Sequence, residues 1–366
     1  MRNLWAVCLV VSGALVVGAC GATDTASPPP TSTASAVHSD AVGSPSAGGG
    51  PAVVLVSGLA TQTPFTTTTT KCANGLSAGN SVSALRDSLV AAGNQVYTAP
   101  AQIGPGEVTS TVGIGPSGGC PPPLPAALTI DTTAGIDQGG EHLAAFLNYL
   151  HTQLGVTAVQ LVSHSMGGLF SRSAIGNLGV QPGGLEVRSL TALSTPWTGA
   201  FPADYAEGTL PMSACGGEKT CLKVMTDYKA KLSDVEGPQG AANAIGTSDL
   251  QGPTGWNVSQ GTDLSAIPVT LIGGDHFARS GGSPKVWPND GIVSASSALA
   301  RGIGGAPLQV RACLLRPDVH TIGLAAELGL PWTSSITWDP VVLAAVAAAV
   351  HAGDEGTPTT GSATDC

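Results

Sequence analysis

Charge is scarce in this chain. Only 10% of its 366 residues are Asp, Glu, Lys or Arg, against 50 glycines and 27 prolines. A disordered chain would be richer in charge, so the composition suits a loop-rich, exported globular protein. No basic cluster occurs, and the net charge of −10 excludes nucleic acid and purely electrostatic binding to anionic lipid. No cysteine stands at zinc-ligand spacing from a neighbouring histidine, so neither a metal site nor a cofactor is expected. No segment repeats at a fixed period. The length leaves room for one large domain or two modest ones, with a substantial core.

The first long apolar run, Leu4–Val17 behind Arg2, is too short to span a bilayer as a stable helix. Val17-Gly18-Ala19-Cys20 follows it and resembles a bacterial lipobox, in which cleavage precedes a cysteine that is then lipidated. Residues 1–19 are accordingly expected to be a signal peptide and Cys20 a lipid anchor to the membrane. The protein is then an exported lipoprotein of a bacterial envelope, or secreted. Residues 20–50 are mostly Ser, Thr, Ala, Pro and Gly with almost no large apolar side chains, a flexible linker. Six cysteines remain beyond Cys20, an even number for an oxidising compartment. Local spacing favours Cys215–Cys221 as a tight loop, Cys72–Cys120 as a clasp and Cys313–Cys366 as a tie for the C-terminal tail, 353–366.

The folded domain is expected over 51–352. Strand patterns occur at Ala52–Val56, Gln95–Ala99, Ala158–Val162, Val187–Leu193, Ile267–Ile272 and Gln309–Leu315. Helical spacing occurs at Ser81–Ala92, Asp137–Leu154, 168–178 and Val341–Val350, with Gly93 and Gly155 as terminators. Residues 100–126 are rich in Gly and Pro and read as a loop insert. Strands alternating with helices imply an α/β fold, a mostly parallel sheet covered on both faces. The order matches an α/β-hydrolase with a lid-like insertion at 199–266.

Around Ser165 an apolar strand enters a turn of small residues and leaves as a helix: Ser163-His164-Ser165-Met166-Gly167-Gly168. Strand, tight turn, helix is the geometry of a nucleophile elbow, which thrusts a serine hydroxyl out at the carboxyl end of a sheet. Positions two before and two after the serine must be tiny, and here they are Ser163 and Gly167; the usual pattern has glycine at both. Nucleophilic acyl transfer also needs a base and an orienting carboxylate, in the order Ser, acid, His. Asp290, in Asn289-Asp290-Gly291, and Asp275, nearer the strand end, are both candidates for the acid. His320 and His351 lie beyond them. A loop just past the last strand is where this order delivers a base, which selects His320; His351 ends an alanine-rich helix. His164 is expected to pack or shape the pocket, and His142 and His151 to face solvent. The oxyanion needs two N–H donors, expected from Met166 and from Leu59 after Gly58.

Val-Leu-Val-Ser-Gly-Leu (54–59), Ser-His-Ser-Met-Gly-Gly (163–168), Ser-Thr-Pro (194–196), Asn-Asp-Gly-Ile-Val (289–293) and Val-His (319–320) together resemble the bacterial triacylglycerol lipase/esterase family over about 51–325. The resemblance implies Ser165 as nucleophile, Asp290 as acid and His320 as base, with Leu59 and Met166 as oxyanion donors, and it favours Asp290 over Asp275. The chain departs from the family in carrying Ser57-Gly58 for His-Gly and Trp197 after Thr195-Pro196. Relatives often hold calcium through paired aspartates near the base; only Asp318 is close to His320 in sequence, so calcium is not carried over. The function expected is a serine hydrolase cleaving carboxylic, acyl-lipid esters, with Met212, Leu222, Val224 and Met225 of the lid available to an acyl chain. The alternatives are an envelope acyltransferase with the same triad and a non-catalytic binding lipoprotein on a hydrolase scaffold.

Overall fold

The structure is a computed structural model that describes residues 50–70, 80–108, 121–179, 183–235, 245–305 and 308–354. The signal, Cys20, the linker, Cys72, Cys120, Cys366 and the tail from 355 lie outside the described residues.

The strands are β1 (Ala52–Val56), β2 (Val96–Thr98), β3 (Ala101–Gln102), β4 (Ile130–Asp131), β5 (Ala158–His164), β6 (Glu186–Leu193), β7 (Pro268–Gly274) and β8 (Gln309–Arg316). The helices are α1 (Ser83–Ala91), α2 (Ile136–Leu154), α3 (Gly167–Leu178), α4 (Phe201–Ala206), α5 (Lys219–Val235), α6 (Thr247–Gln251), α7 (Trp256–Ser259), α8 (Ala295–Ala298), α9 (Ile322–Glu327) and α10 (Pro340–Asp354). Six strands form one parallel sheet in the order β2-β1-β5-β6-β7-β8. A parallel sheet must be covered on both faces, because its crossovers lay helices on each. Alternation along β1 shows how. Ala52, Val54 and Val56 join one apolar cluster with α2 and α3, while Val53 and Leu55 join another with α1 and α10. Fully burying one such Val or Leu side chain contributes about 1.5–3 kcal/mol.

The strand order reverses between β1 and β5, which are paired from Ala52↔Val159 to Val56↔Ser163. In open α/β sheets the crevice beyond the carboxyl ends of such a pair is where ligands bind. The sequence places the Ser57-Gly58-Leu59 loop on one side of that crevice and Ser165 on the other. The fold is that of an α/β-hydrolase.

Helix ends follow local rules. Gly155 closes α2 with φ 71° and donates to the His151 carbonyl, and Gly93 follows α1 with φ 88°. Both conformations favour glycine. The expected loop 100–126 differs in part: Ala101–Gln102 form β3, which pairs with β4 in a separate two-stranded sheet. Its two residues are too few to show a strand period. Between β6 and β7 the weak apolar spacing conceals α4–α7, because their apolar residues are divided: Phe201, Cys215 and Met225 pack with Trp287 in a small cluster, whereas Ala203, Tyr228 and Leu250 join the main core. Met225 is core there, its Sδ 3.4 Å from Cys215 Sγ. Cys215–Cys221 is a disulfide, and Cys313 is disulfide-bonded as well. Among the described residues no helix is long and apolar enough to cross a membrane.

Candidate active site

The elbow is built by close backbone contact. Ser165 has φ 57°, a left-handed conformation that costs a non-glycine residue on the order of 1 kcal/mol or more. It is held there by its N–H to the Leu193 carbonyl (2.8 Å) and by Gly168 N–H on its own carbonyl (3.1 Å). A Cβ on Gly167 would stand 2.6 Å from the Val56 carbonyl oxygen, and one on Gly168 would stand 2.1 Å from Thr195 Oγ1. Both distances exclude a side chain, so the two glycines follow from packing. At the departing position, Ser163 is fully buried; its Oγ lies 2.7 Å from Ser171 Oγ, which donates to the Gly167 carbonyl. The extra hydroxyl is absorbed within strand and helix.

Asp290 lies between β7 and β8, and His320 just beyond β8. His320 Nδ1 is 2.7 Å from Asp290 Oδ2, and His320 Nε2 is 2.9 Å from Ser165 Oγ. With Nδ1–H donating to the carboxylate, the Nε2 lone pair faces the serine hydroxyl, which donates to it. Asp290 Oδ1 accepts from the N–H groups of Ile292 (3.0 Å) and Val293 (2.8 Å). Burial alone would raise the Asp290 pKa, but His320, the Val293 N–H and Ser194 outweigh it and hold the carboxyl below its ordinary value. The His320 N–H donates to the Asp290 carbonyl (2.8 Å), so the two residues are also tied through their main chains.

The rival Asp275 donates its N–H to the Arg316 carbonyl, and no hydrogen bond among the described residues joins it to His320. Burial pushes its carboxyl pKa up, against Arg316. His351 is exposed at the end of α10.

Gly58 lies against the elbow. A Cβ there would lie 2.7 Å from Ser165 Cβ and 2.8 Å from Met166 N. The loop is pinned by Thr61 Oγ1 on the Gly58 carbonyl (2.6 Å) and by a Ser57–Thr63 hydroxyl contact (2.8 Å). Among the described residues neither the Leu59 nor the Met166 N–H has a hydrogen-bond partner. Met166 is the N-cap of α3, whose amide end favours negative charge.

Three sequence expectations need correction or completion. His142 and His151 are half-buried rather than solvent-facing, each with Nδ1 at 2.7 Å from a carbonyl, of Thr129 and Val156. Their helical positions look peripheral, but neighbouring turns fold over them. Asp318 is not alone near the base: buried Asp339 comes to it from the start of α10, and Arg316 Nε donates to Asp339 Oδ2 (2.8 Å). Burial and the adjacent Asp339 push Asp318 up to about 7. Among the described residues no group of three or more His, Cys, Asp or Glu side chains is arranged to hold a metal ion. His164 is buried and shapes the base side, with Nε2 at 3.0 Å from the His320 carbonyl oxygen. No local pattern announces that contact.

Sheet, elbow and flanking loops define the class: an α/β-hydrolase with a serine elbow. Residues 126–207 match the family model described as "Putative serine esterase (DUF676)", a segment that holds the elbow but neither Asp290 nor His320. A triacylglycerol lipase of Pseudarthrobacter phenanthrenivorans is 26% identical over 176 residues, covering 45% of this chain and 54% of the relative. One from Burkholderia plantarii is 26% identical over 176 residues, with 45% and 48% covered. The chain thus spans about half the length of the curated relatives it matches. Among solved structures, the mature form of a Bacillus licheniformis lipase aligns at 14% identity with a TM-score of 0.42, covering 84% of this chain and 96% of that one.

Proposed function

We propose that the protein is a serine hydrolase that cleaves carboxylic esters, with acyl-lipid esters as the substrate class. The observation that carries the reading is the continuous contact from Asp290 Oδ2 through His320 to Ser165 Oγ, at 2.7 and 2.9 Å, on an elbow beside the Leu59 and Met166 N–H groups. Ser165 Oγ attacks the ester carbonyl while His320 Nε2 takes its proton. Asp290 keeps the imidazole in the productive tautomer and stabilises its charged form. The Leu59 and Met166 N–H groups receive the oxyanion. His320 then returns the proton to the leaving alcohol, and water enters by the same steps in reverse to release the acid. The match to serine-esterase and triacylglycerol lipase sequences supports the ester as substrate.

The segment between β6 and β7 is proposed as a cap over this crevice, and Cys20 as a lipid anchor that keeps the enzyme at an envelope where acyl esters occur. Nothing in the described residues favours an alcohol acceptor over water. Turnover of p-nitrophenyl esters of increasing chain length tests the reading. Activity lost in Ser165→Ala with folding intact is the expected result; activity retained would refute it. Cys20→Ser is expected to free the protein from membranes, and unchanged retention would refute lipidation.

A further inference from the structure

The residue before the nucleophile does something the elbow itself does not need. Along β5, side chains alternate: Leu161 and Ser163 face α2 and α3, whereas Val162 faces the α1 and α10 side. Strand period therefore turns His164 away from α3, toward the loop after β8. There its Nε2 lies 3.0 Å from the His320 carbonyl oxygen, and the two imidazole rings lie 4.8 Å apart at 43°. A carbonyl only accepts, so Nε2 carries the proton and Nδ1 is bare. Among the described residues Nδ1 is buried without a hydrogen-bond partner, which fits a nitrogen that carries no proton.

The consequence falls on His320. Its main-chain N–H is bound to the Asp290 carbonyl and its carbonyl is bound by His164, so both peptide groups of the base are fixed. One of these bonds comes from the acid and the other from the residue adjoining Ser165. We propose that His164 is a positioning residue, an uncharged donor that locks the base's main chain to the strand carrying the nucleophile; this rests on His320 being the base. The assignment needs a neutral ring, because a second cation would oppose the imidazolium formed on His320. Burial supplies that neutrality, with His320 adding to it, and lowers the His164 pKa to about 3. The titratable groups acting on the ring among the described residues are His320 and Asp290, of opposite effect.

The test uses the folded wild type first. Histidine 15N spectra from about pH 5 to about 8 are expected to show His164 neutral throughout and protonated at Nε2. A ring that titrates in that range, or carries its proton on Nδ1, overturns the proposal, whatever the enzyme's activity. Two variants then separate donor from volume. His164→Leu fills similar space without a donor, and kcat is expected to fall about 10- to 100-fold with KM changed less than about threefold. His164→Gln offers an amide N–H at similar reach and is expected to recover most of that loss. Equal loss in both variants, or full activity in the leucine variant, overturns the proposal. Ester turnover surviving Ser165→Ala is a separate outcome that would reject the hydrolase reading while leaving the wild-type spectra to decide the His164 contact.

Discussion

The elbow and the loops that carry Asp290 and His320 reach the same crevice by different physics. Ser165 is placed by one continuous stretch, strand to turn to helix, in which glycine contacts leave the backbone no other path. Asp290 and His320 sit on loops placed by hydrogen bonds between distant segments: His320 to Asp290, Val319 to Ser334, Ile336 to Val319 and His164 to His320. Ser165 and His320 are separated by 155 positions in the chain. The placement of Ser165 is thus encoded locally, while that of Asp290 and His320 depends on the whole sheet holding register. The elbow should therefore fail by steric intrusion and the loops by loss of polar contacts.

That contrast can be pressed at five points. The largest effect belongs to Ser165→Ala, which removes the attacking atom; kcat for a p-nitrophenyl ester should fall on the order of 10⁶-fold, with thermal stability kept. On the loop side, Asp290→Asn leaves Ser165 in place but permits the wrong imidazole tautomer, and kcat should fall about 10⁴-fold. Asp275→Asn, measured beside it, should change little; the reverse ranking would assign the acid to Asp275.

Gly58→Ala asks whether close packing alone can break the elbow. Its methyl would meet Ser165 Cβ at 2.7 Å and Met166 N at 2.8 Å. Denaturant melts should show about 1–3 kcal/mol of lost stability, together with lower kcat. Unchanged kcat would separate the Leu59 loop from the oxyanion role.

Removing the Cys215–Cys221 disulfide by double serine substitution frees a loop of sequence separation 6. Chain entropy for so short a loop gives about 2 kcal/mol. The expected outcome is a lower Tm with the elbow's reactivity retained, since this disulfide lies in the cluster between β6 and β7.

The smallest effect is a pH dependence. Asp318 sits two residues before His320, and its pKa is raised from 3.8 to about 7. A raised carboxyl binds its proton in the folded state where the unfolded chain has released it. Its contribution to stability is therefore full below 3.8 and lost as pH rises through about 7. Asp318→Asn cannot titrate, so its Tm should fall less than that of wild type between about pH 5 and about pH 8. Parallel Tm curves would show that Asp318 does not hold a proton in the folded state over this range.

Much of this site was legible in sequence where the cause is local. The apolar runs of β1, β5 and β6 and the small residues around Ser165 are short-range signals, and helix terminators such as Gly155 act within one turn. The relative order of Ser165, Asp290 and His320 was also readable, because the loop after the last strand has few histidines to offer. Other features have no local cause. Asp339 meets Asp318 only because α10 starts behind the base loop. The His164 contact needs β5 and the end of β8 in register. The β6–β7 region hides its helices because its apolar residues are divided between the main core (Tyr228, Ile245, Leu250, Leu264) and a small cluster of their own (Phe201, Cys215, Met225), so neither face repeats cleanly.

The most direct measurement is labelling with a fluorophosphonate, which reacts with activated serines, followed by mapping of the modified peptide. One labelled residue, Ser165, is expected, with labelling lost in Ser165→Ala and in His320→Ala. Label on another serine, or ester turnover that persists in Ser165→Ala, would contradict it.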